Sequence, residues 1–319
     1  MGKDLRREPR SRPQQGWQRQ VNRLVVPSAQ ESAEGWRTPG QDAGWRNPFI
    51  NRYLLTLLVR KELRVRYRGS ALGMAWSYVK PAVQFAVFYV ALGLFLQLEK
   101  GVHNYAVYLF SGIVVINLFG ETFGNCTRAI TSNDSLVRKI YLPSELFPYS
   151  SMIVALIHFI PQVVVLAVGA LLVGWRPGPA NLAAICLGML ILVIFTLGLG
   201  MLTAALNAAF RDIENFVDMI VMVLTWTSPI MYKITMVQNV LGDSWLFWLY
   251  SANPITVVVE LFHYGFWQVT SGVTFPPEEA LLYSQIHGIW WVGLLLALGT
   301  FVVGNLVFER TKREFAQSL

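Results

Sequence analysis

The chain has 319 residues, of which 54% are hydrophobic and 14% charged, with a mean hydropathy of +0.44 and a formal net charge of +7. That balance is too apolar for an ordinary soluble domain of this length and assigns the chain to a membrane. Scanning for apolar runs of roughly 17 to 25 residues predicts an all-α integral membrane protein with six spans, at about 79–98, 105–124, 148–173, 181–206, 214–232 and 288–308.

Residues 1–46 are rich in Arg, Gln, Pro, Ser and Gly and contain no apolar h-region, so they read as a solvated, disordered tether rather than a secretory signal. Asn47 and Pro48 then have the character of an N-cap and a first helical residue. Ile50, Tyr53, Leu54, Leu57 and Leu58 recur at helical spacing, while Arg52, Thr56, Arg60 and Arg64 fall on another face. This predicts an amphipathic helix over 47–68 lying along the membrane interface, with Gly69 and Gly73 permitting a change of direction before the first span.

The basic run of Arg60, Lys61, Arg64, Arg66 and Arg68 has two readings. Each cation near an anionic surface contributes roughly 1 kcal/mol of anchoring. Alternatively, the guanidinium forks receive an anionic lipid headgroup. Within the spans, Trp76, Tyr78, Phe85, Phe88, Tyr89, Trp226 and Tyr232 could either pack between helices and lipid or offer weak stacking contacts to sugar rings.

Between the second and third spans, Thr131 to Asp134 can cap a short helix presenting Leu136, Val137, Arg138, Lys139, Ile140 and Tyr141, limited by Pro143. It is either a docking surface or an interfacial loop. At the next turn on the same side, Arg211, Asp212 and Glu214 read as a second contact or as an internal ion-pair cluster, and the helical pairing distance of Arg211 and Glu214 favours the cluster. The stretch from 233 to 287 is apolar only in pieces too short to span, broken at Asn253 and Pro254 and rich in Trp and Tyr. It predicts two short helices that dip into the leaflet and return, or a static lipid-anchored cap.

Orientation follows from Lys and Arg. With the N-terminus inside, 23 of 26 cations fall on cytoplasmic segments, leaving only Lys100, Arg176 and Lys233 outside. Both termini are therefore expected in the cytoplasm. Cys126 and Cys186 fall near opposite faces, which argues against a disulfide, and no metal site is expected. Ionisable residues inside the spans are few (Glu121, Asp218 and His158, with Glu214 near an end), which disfavours ion coupling; His158 reads as a satisfied packing histidine. No G-x-x-x-x-G-K-[ST] loop is present, so nucleotide energy would require a second subunit.

Four stretches, "RKELRVRYRGSALGMAWSYVKP", "LVRKIYLPSELFPYSSM", "FRDIENFVDMIVMVLTWTSPIMY" and "NPITVVVELFHYGFW", in this order and spacing, resemble the membrane subunit of ABC-2 type polysaccharide exporters. The resemblance covers about residues 47–315 and includes the O-antigen, teichoic acid, capsule and galactan permeases. It implies a transmembrane domain over 69–319 and a homodimer with two copies of a separate ATPase. It also implies ATP and Mg bound by that partner and no cofactor in this chain. The implied cargo is a polysaccharide linked to polyprenyl pyrophosphate, moved across the cell's inner membrane, with no nucleic-acid partner. Residues 128–141 match a coupling helix, and the segment around Trp248, Tyr250, Asn253 and Pro254 matches an outer gate. In this reading the headgroup meets the Arg60 to Arg68 run, and ATPase motion enters through Leu136 to Tyr141. The rival readings are an ABC-2 permease for a small lipid or drug, and a membrane-embedded transferase acting on polyprenyl-linked sugars.

Overall fold

The amphipathic segment folds as a pair of helices. In the computed structural model, which describes residues 47–139, 142–312 and 315, α1 (Asn47–Ile50) stops at Asn51 and α2 (Arg52–Tyr67) begins after it. The single helix expected over 47–68 is thus corrected: Asn51, at φ −98° and ψ 44°, leaves the helical region. Leu58 and Val59 are buried on α2, whereas Tyr53, Leu57 and Val65 stay exposed. That division suits a helix half-sunk in an interface. Gly69 and Gly73 adopt φ of +77° and +51°, the left-handed conformations that glycine takes without a Cβ clash, and the chain turns there. The expected tail over 1–46 lies outside the described residues.

Five stretches among the described residues are long and apolar enough to cross a membrane. Gly73–Phe95 comprises a 3₁₀ turn (Gly73–Ala75), α3 (Trp76–Phe88) and a π-helical end (Tyr89–Phe95). The others are α4 (Tyr105–Arg128), α6 (Leu146–Leu172), α7 (Pro179–Ala209) and the pair α12 (Pro277–Gly288) and α13 (Trp290–Thr311), which follow one another over Pro277–Thr311. The first span therefore starts six residues before the expected 79, because Ser77, Lys80 and Gln84 are helical residues facing a cleft rather than a pre-membrane segment. Between α4 and α6, a 3₁₀ turn (Thr131–Asn133) leads into α5 (Asp134–Lys139), where the Asp134 carboxylate accepts from the Ser135 amide.

The expected fifth span is corrected more strongly. Here α8 (Ile213–Thr227) has only 15 residues, about 22 Å of helix against the roughly 30 Å of a hydrocarbon core. Ser228 becomes extended, and Ser228 to Met231 continue as buried irregular backbone. Such backbone survives away from water only if its polar groups are satisfied. The Tyr108 hydroxyl contacts the carbonyls of Pro229 (3.0 Å) and Tyr232 (2.7 Å), and the Tyr105 hydroxyl donates to that of Met231 (2.9 Å).

Three short helices follow: α9 (Ile234–Leu241), α10 (Trp245–Ala252) and α11 (Pro254–Phe262), the last prolonged by a π turn (His263–Trp267). Asn253 caps α11 by accepting from the Ile255 amide at 3.0 Å, Pro254 occupies its first turn, and the chain bends by 70° there. The break expected at Asn253 and Pro254 is present.

Burial decides which helix is central. Within the apolar window of each span, 72% of α4 is buried but only 11% of Gly73–Phe95. Helix α4 packs against α6, α7, α8 and α11, while α13 runs along α7. A Cβ on Gly198 would meet the Phe301 backbone at 2.5 Å, and one on Gly304 would meet the Gly198 carbonyl oxygen at 2.0 Å. Helices α7 and α13 thus approach backbone to backbone, as small residues permit in membranes. One end of the bundle gathers α2, α5, the C-terminal ends of α4, α7 and α13, and the N-terminal ends of α6 and α8; this is the basic end.

Candidate functional site

Polar residues inside the apolar helices are not scattered. On α4, Asn117, Glu121, Asn125 and Arg128 follow one another at intervals of four, four and three; on α3, Ser77, Lys80 and Gln84 repeat at three and four; on α6, His158 and Gln162 are four apart. Each set forms a stripe along one helical face. Together with Arg66, Tyr67, Trp76 and Thr225, the stripes line a cleft of about 520 Å³. It adjoins a second cavity of about 260 Å³ under α2, with Arg66, Asn125 and Arg128 common to both.

Three cations, Arg66, Lys80 and Arg128, face one carboxylate, Glu121, in the main cleft. Glu121 Oε1 lies 2.6 Å from both Arg66 Nη1 and His158 Nδ1. The His158 ring is 3% exposed, and its Nε2 is 2.7 Å from the Tyr67 hydroxyl, which is 3.0 Å from Ser77 Oγ. Gln162 donates to the His158 carbonyl (3.2 Å), and Asn117 reaches Gln162 (3.4 Å). His158 is satisfied, as its sequence context suggested. Its partners make it the hub that ties the interface helix to three spans. An excess of positive charge at the mouth of an apolar bundle selects an anion.

The predicted headgroup residues separate. Arg66 points into the cleft, whereas Lys61 hydrogen-bonds Asn133 of the Thr131–Asn133 turn. Arg60, Arg64 and Arg68 are exposed without ionic partners among the described residues. Under α2, Glu62 accepts from Ser150 (3.3 Å) and Ser151 (3.2 Å). Burial pushes its carboxyl above the ordinary value of 4.5, against the opposing effect of those hydroxyls and of Arg66 and Lys61.

Of the predicted aromatic path, Trp76 lines the cleft and Tyr78 is exposed outside its lining. Phe85 and Tyr89 join a stacked series through Tyr105 and Tyr108 to His263, with centroid spacings of 5.7, 6.2, 6.2 and 3.9 Å. Phe88 tilts against Trp226 at 6.3 Å, and the Tyr232 hydroxyl donates to the Trp226 carbonyl. These rings form interhelical packing between α3, α4 and α8 rather than one continuous wall.

At the predicted coupling segment, Leu136 and Val137 are half-buried, Arg138 and Lys139 are exposed, and Ile140 and Tyr141 lie outside the described residues. The expected Arg211 and Glu214 pair does not form: the two are not joined by an ion pair, and Glu214 instead accepts from Asn207 at 3.1 Å. Arg211 sits before α8 in the turn, where the helical spacing assumed for the pair is not yet established. Elsewhere at this end Lys312 pairs with both Glu145 (2.6 Å) and Glu309 (2.5 Å). At the predicted outer gate, Trp248 is 42% exposed, while Pro254 is buried and Tyr250 and Asn253 are half-buried. Cys126 and Cys186 are both free.

Sequence reasoning missed Tyr67, Glu121, His158, Gln162, Asn117, Asn125 and Arg128 as one site. The signal was the spacing of polar residues on each helix, which becomes a site only when three stripes face one another.

Comparison with known proteins adds an independent line. The O-antigen export system permease protein RfbA of Klebsiella pneumoniae is 27% identical over 270 residues, covering 83% of this chain and 95% of the relative. The protein of that name from Myxococcus xanthus is 24% identical over 274 residues, covering 86% and 98%. The polysialic acid transport protein KpsM of Escherichia coli is 23% identical over 217 residues, covering 66% and 80%. The ABC-2 type transporter family matches residues 53–267, which include almost all of α2, the cleft and the broken helix pair α10 and α11, and the chain belongs to that family.

Proposed function

We propose that this chain is the membrane subunit of an ATP-driven exporter that carries a polysaccharide on a lipid diphosphate across the cytoplasmic membrane. The observation that carries the reading is the cleft: three cations against one carboxylate, entered beside an interface helix and leading between apolar spans. A diphosphate headgroup is the anion such a mouth accommodates, with Arg66 and Arg128 offering bidentate donors and Lys80 a point charge. Names of relatives covering most of the chain support a glycan cargo of the O-antigen or capsule class. Teichoic acid and galactan are further members of the same chemical class.

Energy enters from a separate ATPase that holds ATP and Mg. Two copies of this chain and two of the ATPase complete the transporter, with both termini on the cytoplasmic side, where the cations concentrate. ATPase closure pushes on Leu136, Val137, Arg138, Lys139, Ile140 and Tyr141. The Lys61 to Asn133 hydrogen bond then passes the displacement to α2. Outward, Trp248, Tyr250, Asn253 and Pro254 form the gate.

Purification of the intact complex in mild detergent tests the reading. The expected result is a stoichiometric ATPase whose turnover rises with polyprenyl-diphosphate glycan and responds to Leu136→Ala. A homogeneous species without ATPase that modifies polyprenyl-linked sugars would replace it with the membrane transferase.

A further inference from the structure

We propose that Glu121, His158 and Tyr67 act as a charge exchanger: a phosphate-ester anion entering the cleft draws Arg66 away from Glu121, and His158 takes up one proton in its place. The inference rests on reading the cleft as a lipid-diphosphate site.

The resting hydrogen bonds set up the exchange. Both Arg66 Nη1 and His158 Nδ1 address the same oxygen, Glu121 Oε1, and stand 3.4 Å from each other. Two donors tolerate that approach because one anion lies between them. With Nδ1–H donating to Glu121, Nε2 of the neutral ring is an acceptor, and the Tyr67 hydroxyl donates to it at 2.7 Å. The tautomer follows from the network.

Exposure differs along the cluster. Arg66 is 39% exposed in the last turn of α2, shortly before Gly69, whereas Glu121 is 21% and His158 3% exposed. Arg66 can leave; the inner pair cannot follow. Its departure would strand a carboxylate inside the bundle with only a neutral donor, a costly state. One proton, given up by a buffer acid through water and leaving the conjugate base in solution, binds at Nε2 and restores an ion pair between imidazolium and Glu121. The Tyr67 hydroxyl then accepts from Nε2–H and turns its own proton to Ser77 Oγ, 3.0 Å away. Within the protein only the Nε2–H bond forms, matched by the bond to hydrogen broken in the buffer acid, and every polar atom keeps a partner in both states. The other charged or titratable groups around the cluster are Lys80 on α3, Arg128 on α4, and Lys61 and Glu62 on α2. Lys80 and Arg128 remain to hold the anion with Arg66.

Isothermal titration of the full complex in nanodiscs at pH 8, in two buffers of different ionisation enthalpy, counts the protons. A diphosphate ester itself holds little exchangeable proton at that pH. The probes are a polyprenyl diphosphate without sugar, added in the bilayer, and a water-soluble methyl diphosphate ester, added in solution. The wild type is expected to take up close to one proton per bound anion and, by linkage, to bind it less tightly as pH rises. His158→Gln should abolish the uptake and, by leaving Glu121 uncompensated when Arg66 departs, weaken binding. Glu121→Gln, which releases Arg66, should bind about tenfold more tightly. Uptake with the lipid alone identifies a membrane headgroup; uptake with both probes identifies the anion itself, and each supports the exchange. Binding by the wild type without proton uptake, or undiminished uptake in His158→Gln, overturns the exchange and leaves the cleft reading standing. Binding of neither probe overturns both. The wild-type count needs no variant, so a poorly folding mutant does not remove the test.

Discussion

Lys312 Nζ lies 2.6 Å from Glu145 Oε1 and joins the end of α13 to the residue that opens α6. Glu145 is 1% exposed, so this pair staples the last span to the helix that follows α5. Removing one partner of a buried pair leaves an uncompensated charge. Lys312→Met is expected to destabilise the protein by about 3 kcal/mol. Glu145→Gln in the same chain should recover some of that loss in a double-mutant cycle of thermal unfolding.

The contact between α7 and α13 leaves no room for a methyl group. Gly198→Ala or Gly304→Ala must push the facing backbones apart, at a cost of roughly 1 to 3 kcal/mol. Gly299→Ala, whose Cβ would meet nothing within 4 Å, is the control and should be close to neutral. Unfolding in detergent followed by circular dichroism distinguishes them.

Tyr108 supports the irregular end of the fifth hydrophobic segment. Tyr108→Phe keeps the ring stacked on His263 at 3.9 Å and removes only the hydroxyl that contacts two carbonyls. A loss of about 1 to 3 kcal/mol is expected, with faster hydrogen exchange at 228–233 but not within α4. Unchanged exchange there would refute the supporting role of the hydroxyl.

Glu62 gives a pH dependence whose sign is defined. Its folded carboxyl lies above the ordinary value, because burial outweighs the hydroxyl bonds and nearby cations. Its neutral form therefore stabilises the fold below about pH 4.5, and that contribution is lost as pH rises through the folded value. Glu62→Gln should flatten the stability profile above pH 4.5 and raise stability at pH 7 relative to wild type. A parallel profile for the variant would show that the slope comes from other groups.

The link between Lys61 and Asn133 is the only hydrogen bond among the described residues that ties α2 to the Thr131–Asn133 turn. Asn133→Ala is expected to lower export per ATP hydrolysed while leaving anion binding in the cleft within about twofold. Export assayed in vesicles alongside phosphate release measures that ratio.

Hydropathy alone was enough to locate the spans at α4, α6, α7 and α13, because burial in lipid demands long apolar runs whatever the neighbours are. Local chemistry equally determined the turns at Gly69 and Gly73 and the break at Asn253 and Pro254, where φ limits and a missing N–H act within a few residues. Tertiary structure decided the rest. The fifth segment ends as irregular backbone because Tyr105 and Tyr108, more than a hundred residues earlier, satisfy its carbonyls. Arg66, chosen from sequence as one of five equivalent cations, is set apart by its partner Glu121, 55 residues away. Polar stripes are written along each helix, but helix rotation in the packed bundle determines which stripes face each other. That rotation depends on close approaches such as Gly198 to Gly304, which no local pattern encodes.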